Sequence, residues 1–210
     1  MKHKVMIVEA QTMPRELFEL RTQASEHFEV ALSIDNAALA DVYCLRFPVD
    51  LILMDVVTRN GESGLDAAER IKRAFPQIKI IIVTSMPECS YLSRAREIGV
   101  ESFWYKEEQR ESMLDVMERT MAGESVYPDA TPELQLGLAS SYKFTERELE
   151  VLREMTGGDT NQEIAERLHM SVATVKTHIL NMLEKTGFRN RTELAVRARE
   201  SGLVILNRKN

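Results

Sequence analysis

Asp55 holds the clearest chemical opportunity in this chain. It follows the apolar run Leu51-Ile52-Leu53-Met54, so a buried strand would deliver its carboxylate to the edge of a sheet. A carboxylate on so rigid a support can accept a phosphoryl group as an acyl phosphate. Compatible groups close other apolar runs: Glu9 after Lys4 to Val8, Thr84 and Ser85 after Ile78 to Val83, and Lys106 after Ser102 to Tyr105. An acid helps to hold Mg²⁺, a hydroxyl bonds a phosphoryl oxygen and an ammonium offsets its charge. A single strand-end aspartate reads as a loop cap. Four suitable groups at four strand ends read as a phosphoryl-transfer site.

A second constellation lies near the C-terminus. Ile164, Ala165 and Leu168, then Val172, Val175, Ile179 and Leu183, recur at helical spacing on either side of the short connection His169-Met170-Ser171. Thr174, Lys176, Thr177, His178, Leu180 and Asn181 are left toward the outside of the second helix. Polar side chains on that face suit reading of a DNA major groove. Arg189 and Arg191 follow the helix, where contact with backbone phosphates competes with simple solvation. His178 lacks metal-ligand spacing and reads as a packing or phosphate-facing residue, while Met155, Met170 and Met182 read as core.

These groups need elements to position them. Short strands are expected at Lys4 to Val8, Phe28 to Ile34, Leu51 to Met54, Ile78 to Thr84 and Ser102 to Tyr105, several of them apolar at consecutive positions, as when helices cover both faces. Helices are expected between and after them at Pro14 to Ala24, Asn36 to Arg46, Leu65 to Phe75, Cys89 to Ile98 and Gln109 to Met121. This alternation implies right-handed crossovers and an α/β doubly wound parallel sheet of five strands. Gly123, Pro128, Pro132 and Gly137 interrupt the pattern, marking a linker with room for a short helix at Glu133 to Ala139. From Phe144 the pattern is helical throughout. Thr145 with Glu148 and Thr160 with Glu163 form capping boxes, Ser171 can cap a third helix, and a fourth runs from about Thr192 to Ser201. The expected organisation is therefore an α/β domain over 1–121, a linker over 122–143 and a small all-α four-helix domain over 144–210.

Composition narrows the class. The chain has 210 residues, 44% hydrophobic and 29% charged, so disordered and fibrous classes are excluded. Its longest apolar runs, such as Ile80 to Val83, fall far short of the roughly 18 residues that cross a bilayer, so no membrane partner is expected. Cys44 and Cys89 lack CxxC spacing, which points to a reducing cytoplasm. The net charge of −6 argues against nucleic acid until it is divided. Residues 1–143 carry −7 and residues 144–210 carry +1, with +3 concentrated in Ser171 to Arg191. So modest a patch implies weak binding by one domain and useful affinity only from a homodimer.

The order and spacing of Glu9, Asp55, Thr84 and Lys106 resemble the receiver domain of two-component response regulators. The resemblance implies strand order 2-1-3-4-5, Asp55 as the phosphoacceptor for a histidine kinase, Thr84 and Lys106 as phosphate-pocket residues, and Thr84 and Phe103 as switch residues. It also implies Mg²⁺ held by Glu9 and Asp55. Two features depart from the family. Receivers usually place two adjacent acids after the first strand, whereas here the pair is Glu9-Ala10, and a methyl group cannot ligate Mg²⁺. The loop after Asp55 carries Arg59 where a proline is usual and runs one residue longer. The metal site should be weakened, with Glu9 and Glu62 as the acids that could compensate.

The strings Leu149-Glu150-Val151-Leu152, Asn161-Gln162-Glu163-Ile164-Ala165 and Ser171-Val172-Ala173-Thr174-Val175-Lys176-Thr177-His178 are similar to the LuxR-type helix-turn-helix. With a receiver, the whole chain resembles the NarL/FixJ family of response regulators. The implied DNA-binding residues are Thr174, Lys176, Thr177, His178, Asn181 and Arg191, with the fourth helix forming much of a dimer contact. Leu180 stands where some relatives carry lysine. The expected function is a transcription regulator, phosphorylated at Asp55 to control dimerisation and DNA binding. The alternative is a pseudo-receiver regulator controlled by a protein partner or ligand. An enzyme using Asp55 as nucleophile is disfavoured, because Asp55-Val56-Val57-Thr58 offers no second acid for general acid–base work.

Overall fold

The computed structural model describes residues 2–85, 89–106, 112–129 and 132–204. The chain separates into two compact units, one drawn mainly from Met1–Ser85 and Tyr91–Ala130, the other mainly from Thr131–Leu206.

In the first unit strands and helices alternate as β1 (His3–Val8), α1 (Thr12–Ala24), β2 (Phe28–Ile34), α2 (Ala40–Arg46), β3 (Leu51–Asp55), α3 (Gly64–Ala74), β4 (Lys79–Thr84), α4 (Cys89–Ile98), β5 (Ser102–Tyr105) and α5 (Met113–Met121). The strands form one parallel sheet in the order β2-β1-β3-β4-β5. Successive side chains of a strand point to opposite faces, and both faces are apolar. Met6, Val8, Ile52, Met54, Ile80, Ile82 and Phe103 pack on one side with Leu65, Ala68 and Ile71 of α3. Val5, Ile7, Leu51, Leu53, Ile81, Val83 and Trp104 pack on the other with Phe18 of α1 and Val116 and Met117 of α5. Each large side chain buried this way contributes roughly 1.5–3 kcal/mol. The consecutive apolar runs are thus explained by two cores sharing one sheet.

Two helices start later than the periodicity suggests. Asn36 accepts from the Ala38 N–H and donates to the Arg59 carbonyl, holding a turn that delays α2 to Ala40. A capping box between Ser112 and Asp115 starts α5 at Met113; the expected positions Gln109 to Glu111 lie outside the described residues. Past α5 the chain returns to the sheet, where the Phe103 N–H donates to the Val126 carbonyl at 2.8 Å and the Val126 N–H donates to Ser102 Oγ at 3.1 Å.

The second unit opens with a two-stranded hairpin, β6 (Gln135–Leu136) and β7 (Ala139–Ser140), where a short helix was expected. Gly137, at φ 63°, makes the turn, and the Leu138 N–H donates to the Thr186 carbonyl at 2.9 Å. Four helices follow: α6 (Glu146–Thr156), α7 (Asn161–Arg167), α8 (Val172–Thr186) and α9 (Arg191–Glu200). Thr145, Thr160, Ser171 and Asn190 cap them through side-chain oxygens, each bond contributing about 1 kcal/mol. Leu149, Leu152, Ile164, Val175, Ile179, Met182, Leu194 and Ala198 form their core. Leu168, Val172 and Leu183 are only partly buried against it. His169, at φ 52°, turns the chain between α7 and α8. Among the described residues no helix is long and apolar enough to cross a membrane.

Candidate functional site

Register explains how distant residues meet. Val8 pairs with Met54, Asp55 with Val83 and Thr84 with Tyr105, so Glu9, Asp55, Thr84 and Lys106 emerge together at the carboxyl edge of the sheet. Lys106 donates through Nζ to Glu9 Oε2 at 2.5 Å and to Asp55 Oδ2 at 3.1 Å. Glu9 is 1% exposed and Asp55 7%, and they sit with one ammonium between them. The remaining oxygens are also engaged: Glu9 Oε1 accepts from the Gln11 N–H and Asp55 Oδ1 from the Val56 N–H, both at 2.8 Å. Burial pushes the Asp55 carboxyl up to about 7; Lys106 pulls it down, and Glu9 adds to the rise.

The other expected pocket residues are near at hand. Thr84 is fully buried at the end of β4, where its carbonyl accepts from the Lys106 N–H at 3.0 Å. Phe103 is buried rather than poised at the surface, its ring 5.0 Å from that of Tyr105 and 6.3 Å from that of Tyr127. Tyr127 is anchored by its hydroxyl, which donates to the Val100 carbonyl at 2.8 Å, and by Arg96, 4.7 Å above its ring.

Sequence reasoning missed two supports of Asp55. A Cβ on Gly64 would stand 1.8 Å from the Asp55 carbonyl oxygen, so only glycine lets α3 begin directly beneath the carboxylate. Thr58 is buried, donating to the Glu62 carbonyl and accepting from the Ala37 N–H, which pins the loop after Asp55. A glycine and a threonine in a polar loop carry no signal of such contacts until the chain is folded.

Receiver domains as a class bind Mg²⁺ at an acidic pocket of this kind. Here the donor set does not fit that ion. Ala10 supplies no ligand, both carboxylates are closed on Lys106, and among the described residues no three acids, histidines or cysteines gather to hold a metal. Glu62 is exposed and supplies no compensating ligand.

On α8, Thr174, Lys176, Thr177, Leu180 and Asn181 are exposed and His178 is half-buried. Two of the hydroxyls are occupied within the helix: Thr174 Oγ1 bonds Ser171 Oγ at 2.8 Å and Thr177 Oγ1 donates to the Ala173 carbonyl at 3.0 Å. Lys176 has no hydrogen bond or ion pair among the described residues, so its ammonium is available. Arg191 is committed inward, donating to Asn161 Oδ1 at 2.9 Å and to the Asp159 carbonyl at 2.8 Å, which ties α9 to the start of α7.

Comparison with known proteins divides the chain in the same way. Residues 5–118 match the family model "Response regulator receiver domain", and residues 142–198 match "Bacterial regulatory proteins, luxR family". The response regulator protein VraR of Staphylococcus aureus is 35% identical over 163 residues, covering 74% of this chain and 76% of its own. Among solved structures, RcsB dimers bound to two parallel DNAs match at TM-score 0.61 and 18% identity, covering 95% of this chain and 98% of that one. RcsB from Salmonella enterica serovar Typhimurium, bound to promoter rprA with the phosphomimetic BeF₃⁻, matches at TM-score 0.60 and 19% identity, covering 93% and 98%. The response regulator ChrA of a heme-sensing two-component system matches at TM-score 0.52 and 20% identity, covering 96% and 98%. At these identities the structures speak for the fold.

Proposed function

Because this chain belongs to the response regulators that join a receiver to a LuxR-type DNA-binding domain, we propose that phosphorylation of Asp55 controls its dimerisation and its binding to double-stranded DNA. It is a transcription regulator rather than an enzyme. The observation that carries the proposal is the convergence of Asp55, Thr84 and Lys106 at one sheet edge, with Asp55 Oδ2 facing the Lys106 ammonium.

In the proposed reaction Asp55 Oδ2 attacks the phosphorus of a phosphohistidine on the partner kinase. The new O–P bond forms as the P–N bond breaks, and the departing imidazole nitrogen takes a proton from solvent. The acyl phosphate carries about −1.5 to −2 charge in place of the single charge of the carboxylate, beside Glu9, an acid already buried. Lys106 is then drawn from Glu9 toward the phosphoryl oxygens, and in this reading the Thr84 hydroxyl turns to donate to one of them. Strand β5 carries the change onward, because Lys106 directly follows it and its Phe103 N–H holds Val126 on the path to the second unit. In that unit Lys176 offers an unpaired cation on the reading face among the described residues, Thr174, Thr177, His178 and Asn181 supply groove contacts, and Arg191 ties α9 to the start of α7.

Intact-mass measurement after incubation with acetyl phosphate tests this reading: wild type should gain one phosphoryl group and Asp55→Ala none. A second reading, a pseudo-receiver controlled by a protein partner or ligand, is favoured by the closed Glu9–Lys106–Asp55 cluster, which is satisfied without phosphate. DNA affinity unchanged by the phosphodonor, with no mass adduct, would select it.

A further inference from the structure

We infer that in the resting protein Lys106 takes the place of a divalent cation in the acidic pocket, and that Ala10 is the residue that keeps a metal out. The inference concerns the pocket of the proposed phosphorylation but does not depend on that reaction.

Four observations support it together. Each oxygen of the two carboxylates already accepts a hydrogen bond: Glu9 from Gln11 N–H and Lys106, Asp55 from Val56 N–H and Lys106. Mg²⁺ demands near-ideal octahedral coordination by oxygen at about 2.0–2.1 Å, so it would have to break these bonds in a space where Glu9 is 1% exposed and the Lys106 side chain 11%. No third acid, histidine or cysteine joins them among the described residues. Charge gives the last argument. Two carboxylates and one ammonium leave a single negative charge, and a divalent ion added to them would leave the buried pocket positive. A carboxylate at position 10, next to Glu9 in sequence, would cancel that excess and supply the missing ligand. The lysine therefore offsets the buried acids, a role that a metal shares where a second acid is present.

The test uses the full chain and two probes, Mn²⁺ followed by electron paramagnetic resonance and Mg²⁺ followed by thermal unfolding. Wild type should bind no more Mn²⁺ than the Glu9→Gln/Asp55→Asn double variant, and its Tm should not move with Mg²⁺. Ala10→Asp should acquire one saturable Mn²⁺ site, at least about tenfold tighter than any wild-type binding. Lys106→Met strands two buried acids, so its Tm should fall and be restored in part by Mg²⁺. Should that variant fail to fold, Ala10→Asp decides alone. A wild-type Mn²⁺ site that Glu9→Gln or Asp55→Asn abolishes would overturn the inference, as would an Ala10→Asp variant that gains no binding. Phosphorylation is scored separately by mass in EDTA: an adduct there supports both readings, whereas no adduct with any donor sinks the phosphorylation reading and leaves this one to the Mn²⁺ result.

Discussion

Glu9 and Lys106, 97 positions apart in the chain, meet at 2.5 Å, closer than Lys106 comes to Asp55. The proposed phosphoacceptor therefore shares its lysine with an acid that holds it more tightly. Glu9→Gln should free Lys106 for Asp55 and remove a negative neighbour, so the pH at which Asp55 becomes reactive should fall. Weakening the charged hydrogen bonds that Glu9 accepts from Gln11 and Lys106 should also lower unfolding free energy by about 2 kcal/mol, read by urea denaturation. An unshifted pH profile would show that Glu9 does not act on Asp55.

The pH dependence of the wild type follows from the same burial. Asp55 attacks as a carboxylate, and its pKa stands at about 7, so adduct formation should fall about tenfold per unit below pH 7 and level off above it. The linkage to stability has a definite sign. The folded pKa is raised above the unfolded value of about 3.9, so the protonated form contributes stability that is complete below about pH 4 and lost as pH rises through about 7. Asp55→Asn should gain Tm relative to wild type at pH 8 and lose that advantage at pH 5. A constant difference at both would exclude the buried, raised acid.

Gly64→Ala should be among the costliest small substitutions in the first unit. Its new methyl group would meet backbone rather than a movable side chain, 1.8 Å from the Asp55 carbonyl oxygen. A loss of about 3 kcal/mol is expected in chemical unfolding, together with loss of Asp55 phosphorylation. Near-wild-type stability would mean that α3 does not start where this geometry puts it.

Lys176 and Arg191 should separate in DNA-binding measurements. Lys176→Ala should weaken binding and reduce the slope of log affinity against log salt by about 1, since its ammonium is free to neutralise a phosphate. Arg191→Ala should leave that slope nearly unchanged and lower the thermal stability of the second unit, because its guanidinium links Asn161 and Asp159. The reverse pattern would place Arg191 on the duplex.

His169 holds φ 52°, a region unfavourable for side chains branched at Cβ. His169→Val should destabilise the second unit by about 1 kcal/mol, and His169→Gly should not. Equal effects would remove the turn between α7 and α8 as the cause.

Much of this architecture was legible in local pattern. The strands β2 and β5 and the helix α4 fall at the residues expected, because short apolar runs for strands and apolar residues three and four apart for helices are signals carried within a few positions. The capping boxes at Thr145 and Thr160 were equally legible, since cap and partner lie three residues apart. The hairpin at 135–140 was not. Its turn is stabilised by the carbonyl of Thr186, some fifty positions away, and no local window holds both partners.

The amino-acid sequence by itself determined which groups this protein brings to its chemistry: an acid, a hydroxyl and an ammonium at strand ends, an alanine beside Glu9, and a polar face on a capped helix. Residue type and periodicity suffice for that, because strand and helix present side chains at fixed intervals. Only the tertiary structure decided how those groups are shared. It gave the ammonium of Lys106 to Glu9 as well as Asp55, turned Arg191 inward while leaving Lys176 free, and brought Gly64 against the Asp55 carbonyl. Those choices depend on register between strands and packing between helices, where distances of a few tenths of an ångström separate a bond from a clash.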